Sequence, residues 1–76
     1  MLDQEIKRLA KQELKQHDIP EWLTWNQARE WLYDGRMSQE IFDLFDDCWN
    51  TFSFKFSVPE YQQQASLKRL IKRYEK

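Results

Sequence analysis

Thr51-Phe52-Ser53-Phe54-Lys55-Phe56-Ser57-Val58 alternates aromatic and polar residues at period two, in a 76-residue chain whose other segments follow helical spacing. Such alternation is the pattern of a half-buried strand. No second stretch repeats it, so a strand carrying Phe52, Phe54 and Phe56 has no obvious partner within the same chain. Its open edge would seek another chain, and two copies paired antiparallel through residues 51–57 would form a twofold homodimer. The alternative is an irregular segment whose phenylalanines plug a helical core.

On either side of this stretch the pattern is helical. N-terminally, Ser38 caps a helix reaching about Asn50, with Ile41, Leu44, Phe45 and Cys48 on one face and Phe42 and Trp49 widening it. That breadth marks the central helix. Before it, Thr24-Trp25-Asn26-Gln27 reads as a capping box, with Leu23 and Ala28 placed as a hydrophobic staple, and opens a helix over residues 25–34. Trp25, Ala28 and Leu32 form its inner stripe, Trp31 borders the stripe, Tyr33 lies away from it, and Gly35 suits a left-handed helix end. Asp18 and Glu21 read as a start signal for a short turn. Residues 2–17 place Leu2, Ile6, Leu9, Ala10 and Leu14 opposite Lys7, Arg8, Lys11 and Lys15. C-terminally, Ser57-Val58-Pro59-Glu60 reads as a second capping box with proline in the first turn. In the helix that follows, Leu67, Leu70, Ile71 and Tyr74 face inward, while Lys68, Arg69, Lys72, Arg73 and Lys76 face outward. The fold class expected is mainly α: a single helical domain over residues 1–76, a bundle of about four helices with one extended or strand-like aromatic segment at 51–58.

A chain of this length buries roughly 60% of the surface its unfolded form exposes, so one modest core is what it can build. Four Trp, three Tyr and five Phe are a heavy load for such a core, which leaves aromatic surface outside. With 41% hydrophobic and 33% charged residues, the composition is too apolar for a disordered tail and too charged for a membrane protein. No apolar run of signal-peptide or membrane-spanning length is present, so a cytoplasmic location is the default expectation. The single cysteine, Cys48, reads as a core residue, and the single histidine, His17, as a helix-end or packing residue.

Charge is segregated along the chain. Residues 1–17 carry four bases against three acids, residues 18–47 two against eight, and residues 48–76 six against two, giving +1, −6 and +4 within a net charge of −1. Fields of this kind steer association more than they set the fold. Glu40, Asp43 and Asp47 fall on one side of the central helix with Asp46 nearby, an arrangement suited to a lysine- or arginine-rich surface of another protein, with Trp31 and Tyr33 as rim anchors. These acids lack the glycine-containing loop of a calcium site, and no metal or other cofactor is expected. No nucleophile, base or carboxylate pair forms a catalytic signature, so the chain is not expected to be an enzyme.

The rival reading is a nucleic-acid-binding regulator using Lys68, Arg69, Lys72 and Arg73 on phosphates. A pI of about 5.8 argues against it. A helix-turn-helix reading around Gly35 fails on charge, because the would-be recognition helix carries Glu40, Asp43, Asp46 and Asp47 and no Lys or Arg. Membrane-surface binding by the last helix would cost the core Leu67, Leu70 and Ile71. The function expected is therefore that of a small binding protein occupying a surface of a larger protein or nucleoprotein complex, as inhibitor or regulator. Inhibitors that phages and mobile elements direct at host machinery are an analogous class.

Overall fold

The computed structural model describes residues 3–53 and 58–75 and contains four α-helices, α1 (Asp3–Gln16), α2 (Trp25–Tyr33), α3 (Gln39–Cys48) and α4 (Glu60–Tyr74), with a π-helical turn, Trp49–Ser53, continuing α3. The protein is mainly helical, as the spacing of its apolar residues requires. The central role of α3 holds, since α1, α2 and α4 all pack against it.

Each helix starts or stops for a local reason. Two hydrogen bonds complete the α2 capping box: Gln27 N–H donates to Thr24 Oγ1 at 3.3 Å, and Thr24 N–H donates to Gln27 Oε1 at 3.3 Å. Ser38 Oγ accepts from Ile41 N–H at 3.2 Å and opens α3. Gly35, at φ +78°, closes α2, with Arg36 N–H donating to the Trp31 carbonyl at 2.8 Å and Gly35 N–H to the Leu32 carbonyl at 3.2 Å. This is a Schellman motif.

Asp18 corrects the sequence reading. It does not start a turn as a cap; it ends α1 in the left-handed region at φ +61°, with Ile19 N–H bonded to the Leu14 carbonyl and Asp18 N–H to the Lys15 carbonyl, both at 3.1 Å. The same Schellman geometry therefore closes α1 and α2, once with glycine and once with aspartate. The motif sends Ile19 back into the core beside Leu14. At the start of α4, Pro59 stands in the cap position itself and makes no side-chain bond, whereas Ser57 lies outside the described residues.

The aromatic segment divides. Among the described residues there is no strand: Thr51, Phe52 and Ser53 belong to the π-helical turn, and Phe52 packs against the core with Lys7 Nζ 5.8 Å from its ring centre. Phe52 thus corrects the strand expectation and behaves as a plug. Phe54 and Phe56, with the rest of the pairing proposed for residues 51–57, lie outside the described residues. Helical hydrogen bonding won at Phe52 because α3 simply continues through it with a wider turn. The Thr51 hydroxyl is the one buried side-chain polar atom without a partner among the described residues, at a cost of about 1–3 kcal/mol.

The core is built from Ile6, Ala10 and Leu14 of α1, Leu44, Phe45 and Cys48 of α3, Ala28 of α2 and Leu70 of α4, closed by Ile19, Leu23 and Met37 from the connections. On α4 the most buried positions are Ser66 and Leu70, with Leu67, Ile71 and Tyr74 only half-buried. That rotation of α4 turns a serine inward and sets up the polar contacts below.

Candidate functional site

The acids expected to share one exposed face are split in two. Glu40 and Asp43 are exposed, Asp43 accepting only from the Gln39 amide at 2.9 Å. Asp46 and Asp47 turn inward. Asp46 accepts from the Trp25 indole N–H at 2.8 Å and from the Asn50 amide at 3.4 Å. The Asp47 side chain is only 13% exposed and takes both Nε and Nη2 of Arg69 on one oxygen at 2.9 Å. Buried Ser66 joins the two halves, its Oγ accepting from Asn50 Nδ2 and Arg69 Nη2, each at 3.2 Å. A continuous polar seam, Trp25–Asp46–Asn50–Ser66–Arg69–Asp47, therefore ties α2, α3, the π-helical turn and α4 together. Burial raises the Asp47 carboxyl above its ordinary value even though Arg69 pulls it down. The spacing of these acids was readable; that α4 would pack over two of them was not.

The basic face of α4 is also partly committed. Arg73 binds Glu13 of α1 through Nε at 3.2 Å and through a second, close contact from Nη2, and the Tyr74 hydroxyl donates to the same carboxylate at 2.7 Å. The Arg73 hydrogen bond holds Glu13 below the usual carboxylate range, outweighing burial. Of the four residues of the phosphate-binding reading, Arg69 and Arg73 thus have carboxylate partners, and Lys68 and Lys72 remain exposed. Neutralised arginines contribute less counterion release on a phosphate backbone.

The outer side of α2 is different. Trp25, Arg29 and Tyr33 stand one turn apart, with the Arg29 guanidinium 5.8 Å from the Trp25 ring centre and 5.5 Å from that of Tyr33. Tyr33 is 72% exposed. Trp31 packs half-buried against the core with Arg36 5.7 Å from its ring. Two further aromatics, Trp22 at 68% and Tyr61 at 77%, are also exposed. Sequence reasoning singled out Tyr33 and Trp31 but missed Arg29, Trp22 and Tyr61. The i, i+4, i+8 spacing of Trp25, Arg29 and Tyr33 could have identified Arg29; Trp22, between helices, has no periodicity to reveal it.

Two hollows flank this ridge and share Asn26. One is formed by Asn26, Arg29, Glu30 and Tyr33. The other, a cleft of about 530 Å³, is lined by Thr24, Trp25, Asn26, Asp46, Trp49, Asn50, Val58 and Gln62. Its indoles are braced from α3: Trp25 meets Phe42 at 6.0 Å in a tilted pair, and Trp49 stacks on Phe45 at 5.7 Å.

Cys48 is buried, and its thiol is pushed up to about 12, first by burial and then by the charges of Asp47 and Glu13, which keeps it from acting as a thiolate nucleophile. His17 is exposed at the end of α1. Among the described residues no group of three His, Cys, Asp or Glu side chains could hold a metal ion, and no helix is long and apolar enough to cross a membrane. No family model, curated protein or solved structure matches the chain.

Proposed function

We propose that this chain is a non-enzymatic binding protein that occupies a surface of a larger protein, as an inhibitor or regulator, through the outer side of α2 and the exposed acids Glu40 and Asp43 of α3. The observation that carries this reading is the Arg29 guanidinium laid over both Trp25 and Tyr33. Trp, Tyr and Arg dominate binding energy at protein interfaces, and a guanidinium already stacked on rings loses less side-chain entropy when it docks. Exposed Glu40 and Asp43 would add steering toward a basic partner rather than affinity.

The test is capture of partners from lysate of the source cells by the tagged chain, with and without nuclease. A protein partner that survives nuclease, and is lost in the Arg29→Ala/Tyr33→Ala double variant and weakened in the Glu40→Lys/Asp43→Lys variant, is the expected result. Both variants should keep the wild-type circular dichroism, because all four positions are exposed. Capture that vanishes with nuclease, or that both folded variants retain, would sink the reading; recovery of nucleic acid would point to Lys68 and Lys72.

A further inference from the structure

We infer that the cleft lined by Trp25, Asp46, Trp49 and Asn50 is a socket for one arginine side chain of that larger protein. The inference rests on the reading above and names the chemistry of the partner.

Charge is the first argument. Asp46 and Asp47 are adjacent carboxylates served by one nearby guanidinium, and the direct bonds of Arg69 go to Asp47 and Ser66. Asp46 is held instead by two neutral donors, the Trp25 indole and the Asn50 amide, and among the described residues it is the one charged residue lining the cleft. A half-buried carboxylate bonded to neutral donors sits here beside a low-dielectric wall, where a cation is attracted more strongly than on an open surface. Because a carboxylate offers about four lone-pair sites, the two donors already bound leave acceptor capacity for a fork of N–H groups.

The walls choose the cation. Trp25 and Trp49 present indole surface, the strongest cation–π partner among side chains, and bracing by Phe42 and Phe45 fixes them before any ligand arrives. A guanidinium is planar, weakly hydrated and stacks on such rings, whereas a lysine ammonium is a strongly hydrated point charge. Asn26, Asn50 and Gln62 add amide groups for N–H donors that Asp46 does not reach. The cleft's volume of about 530 Å³ admits an arginine side chain with the start of its backbone. Arg29, whose guanidinium lies over Trp25, belongs to the neighbouring hollow together with Glu30. Asn26 lines both hollows, so an arginine in the socket would be continuous with a partner lying along the α2 ridge.

The test is an NMR titration of the isotope-labelled chain with N-acetyl-arginine methylamide, its neutral isostere N-acetyl-citrulline methylamide, and the lysine analogue. The Trp25 indole N–H resonance should move saturably with the arginine compound at millimolar concentration, and at least ~tenfold higher concentrations of the citrulline compound should be needed for the same shift. Asp46→Asn, which keeps an acceptor for the Trp25 indole, should weaken arginine binding by ~tenfold, and Gln62→Lys, at an exposed position, should abolish it with circular dichroism unchanged. Equal response to arginine and citrulline, or undiminished binding in the folded Gln62→Lys variant, would overturn the socket. If the socket fails while captured partners still depend on Arg29 and Tyr33, the broader reading stands; if arginine binds but no protein is captured, the socket stands without it.

Discussion

Arg69 and Arg73 lie one turn apart on α4, and each grips a carboxylate from another helix, yet the two carboxylates respond in opposite directions. Glu13 is held below its ordinary value, because its strongest influence is the Arg73 hydrogen bond. Asp47 is raised, because for it burial outweighs Arg69. Both guanidiniums gain from the pairing, so the asymmetry lies in the acids alone. The lesson is that an ion pair's geometry does not set its sign; the desolvation of its acid does. The inner pair is one end of a seam that fixes how helices meet, and the outer pair is a clasp between α1 and α4.

The strongest way to break this contrast is to cut the seam where both halves join it. Ser66→Val places extra carbon where there is no exposed surface and removes the acceptor that Asn50 and Arg69 share, so it should cost about 3 kcal/mol in urea unfolding. A loss below about 1 kcal/mol would mean that the seam does not organise the core. On the clasp, Glu13→Gln should cost about 1 kcal/mol at neutral pH, since Arg73 is 36% exposed and its pairing is screened. Glu13 has a folded value below its unfolded one, so its contribution is present above the ordinary carboxylate range and is lost as pH falls through the folded value. Wild type and Glu13→Gln should therefore converge in acid. The smallest effect should come from Asp47→Asn, about 0.5 kcal/mol or less at neutral pH, because relief of burial offsets the lost pair. Here the sign reverses: the folded value is raised, the ionised form is penalised above it, and wild type should gain on the variant as pH falls toward the unfolded value. Parallel pH slopes for the two variants would erase the distinction.

Much of the fold was legible because it is written locally. The Thr24–Gln27 box, the Ser38 cap, the Gly35 ending and the apolar arc of α3 each need only a few neighbouring residues to be read. Asp18 was misread because aspartate is a common cap, and only the closing hydrogen bonds around it reveal a left-handed residue ending α1. Phe52 stayed open between strand and plug because alternation over eight residues cannot register that α3 continues through its first part. At the surface, the exposed acids Glu40 and Asp43 and the aromatic Tyr33 were visible in the pattern. The inward turn of Asp46 and Asp47 was not, since it depends on Trp25 and Arg69, 21 and 22 residues away along the chain.

The π-helical turn can also be understood as a correction of helix phase. A turn closed by i→i+5 bonds holds more residues than an α-turn, so the side chains it carries are rotated relative to a straight α-helical continuation. Each residue of an α-helix advances by about 100°, and one residue more or fewer at the start of the turn would swing the side chains within it by about that angle. Asn50 reaches Ser66 and Phe52 meets the core from within this one turn. A chain one residue shorter here would keep its helical composition and lose the azimuth that aims both side chains; in this stretch, length is as much a part of the code as identity.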